Sequence, residues 1–334
     1  MTTLKDIAKA AGVSHATVSR VVNNGPKVGP VLRDKIHKLI IEMGYRPNAN
    51  ARALVTNKST TIGVVIPDVS DPFFATLANG IDKVSRQQNM QLLISTGSLS
   101  AESEREAINL LLERRCETIV IHSKKIADDE LITLFKAHPH FVLIDRYIAD
   151  IKDRCVWLDN NEGGKIAARH LLALKHRQFA CITSTFDIDD PKLRLAGFVD
   201  ELAKANITFD SKNLVSAEPT LQGGEIAAQT LLASGQDFSA IFVYNDAMAI
   251  GAISTLEDNG YSVPKDVSII GFDDVLLARY SRPKLTTLQY PIDLMAQHAA
   301  QLALRNSQEP RIATNKLKFI PQLIKRESTS TYFK

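Results

Sequence analysis

The chain has 334 residues, 45% of them hydrophobic, and nearly balances 40 Lys and Arg with 37 Asp and Glu, which is typical of a globular protein with two or more domains. No signal-peptide pattern and no apolar run of 18 residues occurs, so we expect a cytoplasmic protein without a membrane partner. Cys116, Cys155 and Cys181 lack the spacing of a zinc site or a disulfide framework and are predicted to be buried apolar residues.

The net charge of +3 is unevenly distributed along the chain. Residues 1–58 contain ten Lys and Arg but only three acidic residues, so the rest of the chain is slightly acidic. A basic segment attached to an acidic body is typical of a local contact with nucleic acid.

The basic segment begins with two predicted short helices joined by a tight turn. Apolar residues recur at helical spacing on both sides of Gly12. Thr3, with Asp6 three residues later, fits a capping box, and Ser14 fits the N-cap of the second helix. Two helices with so short a turn predict a helix-turn-helix.

The second helix has small and polar residues at its N-terminal end, as contact with base edges requires. Arg20 can pair with guanine or with phosphate, and a solvated side chain is the alternative for His15. A purely structural helical hairpin is the alternative for the whole segment. The predicted DNA contacts in this head are Thr3, Ser14, His15, Ala16, Thr17, Arg20 and Asn23.

A third helix is predicted from Pro30, which suits the first helical position, to Met43, just before Gly44. It completes a helical head over residues 1–46. The linker over 47–57 can form a short helix that is marginal alone in water.

Leu54 in this linker can be a wedge in the DNA minor groove or a leucine that docks on the body. Asn48 and Arg52 are predicted to contact DNA beside it.

The body, residues 58–334, alternates between strands and helices, and the pattern restarts near residue 155. Buried apolar strands separated by helices predict an α/β fold with parallel sheets in two similar lobes. The predicted strands are 61–67, 91–95, 117–122, 140–145, 155–158, 178–183, 239–244, 267–272 and 315–325. The predicted helices are 72–88, 101–114, 127–137, 161–175, 190–205, 222–234, 246–259 and 292–306.

Polar residues gather where these strands end, and ligands of open α/β sheets bind at that edge. Carboxylates and amides accept hydrogen bonds from hydroxyls, and arginine donates them, which suits a small sugar or polyol. The alternatives are a turn former for Asp273, a helix cap for Asn245, a core residue for Phe73 and a surface ion pair for Arg194. The predicted effector-binding residues are Asp71, Phe73, His122, Asp145, Arg194, Asn245 and Asp273.

The sequence contains none of the catalytic motifs that would indicate an enzyme. The sequence lacks a P-loop, GxSxG, HExxH, or a GxGxxG after a strand, so we expect no enzymatic activity, no metal and no cofactor. A carbohydrate enzyme with paired carboxylates is the remaining enzymatic alternative. Gly163-Gly164 and Gly223-Gly224 can support a phosphate or simply begin helices.

Seven motifs are specific enough to indicate a family: Lys5–Ser14, Thr17–Asn23, Pro47–Leu54, Asp68–Phe74, Arg194–Phe198, Asn245–Ala249 and Ile270–Asp274. On these motifs the whole chain resembles the lactose/galactose repressor family of bacterial transcription regulators. Val275–Ile292 and Arg154-Cys155 resemble its galactose repressor and isorepressor subgroup most closely, whereas His15 departs from that subgroup.

The resemblance implies a periplasmic-binding-protein-like body whose two lobes are joined by three crossovers, near Asp159, Gln289 and Ile320. The lobes would comprise about 58–159 with 290–320, and about 160–289 with 321–334. No long heptad repeat follows the last predicted strand, so we expect a dimer rather than a tetramer.

The resemblance further implies a homodimeric repressor of a palindromic DNA operator, released by galactose or a related sugar that binds the residues named above. A regulator of the same family that responds to another sugar or a purine is the alternative. A sugar-binding protein without a regulatory function is the alternative class. Both induction and corepression by the effector occur in the family.

Overall fold

The computed structural model describes residues 2–23, 25–45, 60–305 and 317–333. The chain divides into two compact units, Met1–Thr60 and Thr61–Lys334. The predicted linker over 47–57, with Asn48, Arg52 and Leu54, lies outside the described residues. Within the described ranges, no helix is long and apolar enough to cross a membrane.

The first unit contains the three predicted helices, α1 (Leu4–Ala11), α2 (His15–Val22) and α3 (Pro30–Glu42). They enclose a small core in which Ile7, Val18 and Ile36 have no exposed surface. The helical spacing of the apolar residues is therefore confirmed.

Local contacts fix the ends of α1 and α2 as predicted. Thr3 and Asp6 form a reciprocal capping box at α1, and the Ser14 hydroxyl accepts from the Thr17 amide at α2. Gly12 ends α1 in the left-handed region, at φ 71°, where a side chain would be strained. The turn between the helices thus follows from the sequence.

The second unit consists of strands and helices in alternation. The strands are β1 (Thr61–Ile66), β2 (Gln91–Thr96), β3 (Thr118–His122), β4 (Val142–Ile144), β5 (Cys155–Leu158), β6 (Phe179–Ser184), β7 (Leu214–Ala217), β8 (Ala240–Val243), β9 (Ser268–Asp273), β10 (Thr286–Gln289), β11 (Lys318–Phe319) and β12 (Gln322–Ile324). The α-helices are α4 (Pro72–Gln87), α5 (Ala101–Glu113), α6 (Asp128–Ala137), α7 (Asn160–Ala173), α8 (Asp189–Lys204), α9 (Leu221–Ala233), α10 (Asp246–Asp258), α11 (Leu276–Tyr280) and α12 (Ile292–Ala303). Short 3-10 helices span Ala149–Arg154 and Ser211–Asn213.

These strands form two six-stranded sheets, in the orders β11-β5-β4-β3-β1-β2 and β12-β10-β9-β8-β6-β7. Every pairing is parallel except that of β10 with β12. We call the half around the first sheet the N-lobe and the half around the second the C-lobe. The chain passes between the lobes after β5, after β10 and between β11 and β12.

The prediction of one strand over 315–325 is wrong. β11 and β12 belong to different sheets, and Ile320-Pro321 separates them. A proline has no N–H to donate to a sheet, so the ladder is interrupted where the chain changes lobes. The sequence patterns do not predict β7, β10 and α11, which are only four or five residues long and too short to show a strand or helix period.

Cys155 and Cys181 are buried and Cys116 is half-buried, all three as free thiols. Burial raises the pKa of the Cys116 and Cys155 thiols to about 11, so both stay protonated at neutral pH. The prediction of apolar cysteines is confirmed for the two buried residues.

Glycines allow α7 and α8 of the C-lobe to touch along their backbones. An added Cβ at Gly164 would lie 2.0 Å from the Arg194 carbonyl oxygen, and one at Gly197 would lie 1.9 Å from that of Asn161. An added Cβ at Gly223 would likewise lie 1.9 Å from the Glu218 carbonyl oxygen, and one at Gly224 would lie 2.1 Å from that of Met248. Close packing therefore accounts for both glycine pairs without a phosphate.

We expect Gly197→Ala to destabilise the body by about 1–3 kcal/mol, because the new methyl group must displace backbone rather than a flexible side chain. Urea unfolding followed by circular dichroism measures this loss. Helix propensity alone predicts the opposite sign, because alanine in a helix is about 1 kcal/mol more stable than glycine. An unchanged or higher stability would contradict the close approach.

Candidate functional site

The exposed side of α2 carries the predicted DNA contacts of the head. His15, Ala16, Arg20 and Asn23 are exposed, whereas Val18 and Val21 of the same helix are buried. The inward-facing valines thus leave the small and polar residues of α2 on the surface, which is the arrangement that contact with a DNA groove needs.

Three other predicted DNA contacts have roles within the head itself. Thr3 and Ser14 cap their helices, and the Thr17 hydroxyl lies 2.9 Å from the Ser14 hydroxyl. These roles are compatible with DNA contact but account for the residues without it.

In the body, a cluster of charged side chains lies where the two lobes meet. Asp145 follows β4 of the N-lobe and is 6% exposed. Its carboxylate accepts from His122 Nε2 (3.1 Å), from Lys124 Nζ (2.9 Å) and from the Tyr290 hydroxyl. Burial by itself raises the pKa of Asp145, but Lys124, His122 and Tyr290 together hold it below the usual range.

Lys124 links this carboxylate to the C-lobe. Its Nζ also donates to the two carboxylate oxygens of Asp190, at 2.9 and 2.8 Å, and Asp190 lies in the first turn of α8. Burial lowers the pKa of Lys124, but Asp145 and Asp190 outweigh this effect, so that the pKa is raised. Lys124 is therefore a charged ammonium shared between the lobes.

Arg194 is the second buried cation of the cluster. Its Nε donates to Asn160 Oδ1 (2.8 Å) and its Nη1 to the Tyr244 carbonyl oxygen (2.7 Å). The guanidinium carbon lies 3.6 Å from the centroid of the Phe272 ring and 4.6 Å from that of Tyr244. The close backbones of α7 and α8 place Arg194 beside Asn160, so the surface ion pair considered for Arg194 is wrong.

Asp273 ends β9 in a strained turn. Asp273 and Asp274 have φ values of 109° and 56°, which few residues other than glycine adopt. The Asp274 carboxylate holds the turn by accepting from Arg326 and from Gln289 Nε2 (3.1 Å). Asp273 is thus presented to the cluster, where its Oδ1 lies 3.6 Å from Arg194 Nη1.

The environment of Asp273 keeps its carboxyl group partly protonated. Burial raises the pKa of Asp273 to about 7, because the opposing effect of Arg194 is offset by the nearby carboxylates of Asp71, Asp145 and Asp190. At 3.6 Å the contact with Arg194 is longer than a hydrogen bond. Asp273 is therefore less satisfied by the protein than Asp145.

The remaining predicted effector residues lie at helix starts. Asp71 caps α4 by accepting from the Phe73 amide (2.8 Å), and the Phe73 ring packs edge-on against Tyr290 at 4.9 Å. Asn245 caps α10 by accepting from the Met248 amide (2.9 Å) and donates to the Pro219 carbonyl oxygen. The helix-cap alternative thus describes Asn245, whose side-chain oxygen and nitrogen both have partners within the protein.

Sequence reasoning missed four residues that build the cluster: Lys124, Asn160, Asp190 and Tyr290. Lys124, Asn160 and Asp190 also line a cavity of about 440 Å³ between the lobes, together with Trp157 and Tyr147. Asp190 and Asn160 stand in first helical turns, where polar residues are common. The crossover predicted near Gln289 is the only sequence signal close to Tyr290.

Comparison with known proteins identifies the class. Residues 3–48 match the model for bacterial regulatory proteins of the lacI family, and residues 168–329 match a periplasmic binding protein-like domain. The chain belongs to the lacI family of bacterial regulatory proteins, with a helix-turn-helix head and a two-lobed α/β body. The resemblance and the fold class predicted from the sequence are confirmed.

Within this family the chain is similar to two regulators over nearly its whole length. It is 43% identical over 331 residues to the HTH-type transcriptional regulator GalR of Escherichia coli K12, covering 99% of this chain and 96% of that protein. It is 42% identical over 330 residues to the HTH-type transcriptional regulator GalS of Salmonella typhimurium LT2, covering 99% and 97%.

A solved relative has the same fold. The crystal structure of the lac repressor dimer bound to operator and the anti-inducer ONPF superposes with a TM-score of 0.88 at 27% identity, covering 98% of this chain and 99% of that chain. The similarity therefore includes both the head and the body.

We expect Asp273→Asn to change how stability depends on pH. Because the folded pKa lies above the ordinary value of 3.8, the folded protein holds a proton that the unfolded chain has lost between pH 3.8 and about 7. The unfolding free energy of the wild type should therefore fall relative to that of the variant as pH rises through this window, by up to about 1.4 kcal/mol per unit.

Parallel urea titrations of both proteins at several pH values measure this difference. Parallel pH profiles would show that Asp273 titrates normally.

Proposed function

We propose that this chain is a sugar-responsive transcriptional repressor that binds a near-palindromic operator as a homodimer and is released by galactose or a related sugar. The observation that carries the proposal is the pair of Asp273 and Arg194, whose side chains are 15% and 5% exposed. Asp273 ends β9 with its carboxylate 3.6 Å from the guanidinium, and Arg194 on α8 is a donor fixed by Asn160 and by the Tyr244 carbonyl.

This arrangement suits a ligand with several adjacent hydroxyl groups. A hydroxyl can donate to the Asp273 carboxylate and accept from the Arg194 guanidinium, and the half-buried ring of Phe73 offers apolar surface. His122 Nδ1 is also buried and has no hydrogen-bond partner within the described part of the chain. A buried polar group without a partner favours a ligand or water that supplies one.

The identity of the effector rests on similarity. GalR and GalS are among the relatives that match nearly the whole chain, which supports galactose as the first sugar to test. We place the sugar against Asp273 and Arg194, with Asp71, Phe73, His122, Asp145 and Asn245 around it.

The homodimer has support from an exposed apolar face on α11. Leu276, Leu277 and Tyr280 are 66%, 49% and 71% exposed on this five-residue helix. The lac repressor structure that shares this fold is a dimer. A second copy of the chain is the partner that would cover this face, and two heads would then read the two halves of a palindrome.

We expect Asp273→Asn to lose the response to sugar while operator binding is retained. Asparagine keeps a neutral acceptor oxygen but loses the charge, which weakens the hydrogen bond by about 1.4 kcal/mol, so about tenfold more D-galactose should be needed to release DNA. Fluorescence anisotropy of a labelled operator, selected from random DNA by the wild type, measures release.

Asp258→Asn is the matched control, because Asp258 is an exposed aspartate at the end of α10 in the same lobe. Its sugar response should equal that of the wild type. If Asp273→Asn released DNA at the same galactose concentration as this control, Asp273 would not bind the sugar.

We expect Arg20→Ala to weaken binding to the selected operator by about 1–3 kcal/mol while affecting random DNA much less, if Arg20 reads a base edge. The same anisotropy measurement on both DNAs at one salt concentration gives the two losses. An equal loss on both would make Arg20 a phosphate contact.

A further inference from the structure

The Lys124 ammonium joins side chains from both lobes, and it makes no direct contact with Asp273 or Arg194 among the described hydrogen bonds and ion pairs. Lys124 and Asp145 belong to the N-lobe, and Asp190 belongs to the C-lobe. The Lys124 and Asp190 side chains are 5% and 11% exposed. A second donor, Lys125 Nζ, bonds the Asp187 carbonyl oxygen of the C-lobe at 2.7 Å.

The segment that carries Lys124 is fixed to the N-lobe. The buried Glu104 carboxylate of α5 accepts from the Ser123 hydroxyl (2.5 Å) and from the amides of Lys124 (3.1 Å), Lys125 (3.2 Å) and Ile126 (3.1 Å). Four hydrogen bonds to one buried carboxylate therefore fix the backbone that carries Lys124 to the N-lobe.

The contact can open without leaving an isolated charge. When Asp190 moves away, Lys124 keeps the Asp145 carboxylate on its own lobe. Asp190 keeps Asn160 Nδ2 at 3.3 Å and faces Arg194, both on the C-lobe. Because each half retains a partner, the large penalty for stranding a buried ion does not arise.

The contact also lines the cavity, next to the proposed sugar site. Lys124, Asp190, Asn160 and also Asp145 line the cavity of about 440 Å³, whereas Arg194 and Asp273 do not. Asn160 bonds Arg194 directly, so Arg194 lies beyond the cavity wall. A ligand in the cavity therefore contacts Lys124 and Asp190, but not Arg194 or Asp273.

We propose that Lys124 is an ionic latch that holds the two lobes together across the cleft, and that it must release Asp190 before a polyhydroxylated ligand reaches Arg194 and Asp273. The ligand part of this inference rests on the proposed function, whereas the latch itself can be measured without ligand.

Trp157 reports on the latch because it is the only tryptophan of the chain and lines the same cavity. In the full-length, ligand-free protein, Lys124→Met and Asp190→Asn should each raise the acrylamide quenching constant of Trp157 fluorescence by about twofold or more. Asp190→Asn is nearly isosteric, so this variant can still be measured if Lys124→Met does not fold.

The coupling between the two residues is measured by the double variant. Its loss of melting temperature should be smaller than the sum of the single losses by about 3 °C or more. The matched control is the Lys192→Met and Asp187→Asn pair. These side chains also line the cavity, but they form an ion pair within the C-lobe and are 66% and 80% exposed. Asp187→Asn leaves in place the backbone carbonyl oxygen that Lys125 of the N-lobe contacts.

The control pair should leave quenching unchanged and its losses should add. Additive losses for Lys124 and Asp190, with quenching like that of the wild type, would overturn the latch. In stopped-flow mixing with D-galactose, Asp190→Asn should associate several-fold faster than the wild type. A wild type that gives no signal with galactose contradicts the proposed effector, whereas equal association rates contradict only the gating role.

Discussion

The rest of the body depends on the burial of opposite charges where its two sheets meet. Isolated ions cannot be buried at tolerable cost, so each must find a partner of opposite sign or a set of hydrogen bonds. Lys124 meets this requirement with carboxylates from both lobes, and Arg194 meets it with a carbonyl, an amide and two aromatic rings. The positions of the lobes are consequently tied to the geometry of a few side chains.

Asp145 and Asp273, the two aspartates of the cluster at strand ends, differ in how many donors of the protein contact their carboxylates. Asp145 accepts from three side chains and its pKa is lowered, whereas Asp273 lies 3.6 Å from its cation and its pKa is raised to about 7. A saturated carboxylate fixes structure, and an unsaturated one gains from a ligand that donates to it. A site of this kind discriminates strongly, because an analogue without the hydroxyl leaves the buried carboxylate unpaired.

Sequence reasoning predicted those elements whose signal is local. The caps at Thr3 and Ser14, the long strands and the polar strand ends follow from spacing within a few residues. Lys124, Asp190 and Tyr290 could not be predicted in this way. Asp190 suits the start of any helix, and Tyr290 reaches Asp145 only because the chain crosses between lobes after β10. Their roles depend on contacts between residues 66 and 145 positions apart in the chain.

A ligand shifts a conformational equilibrium only by the difference in its affinity for the two states, and the coupling to DNA is the same in both directions. In the proposed mechanism the latch and the sugar contacts enter this balance separately. The Lys124–Asp190 contact sets the equilibrium between the two arrangements of the lobes in the absence of sugar. Asp273 sets how far sugar shifts this equilibrium. A defect in the latch therefore changes the starting population, whereas a defect at Asp273 changes only the size of the response. The latch and Asp273 lie in one cluster, yet their effects on DNA release can be measured separately.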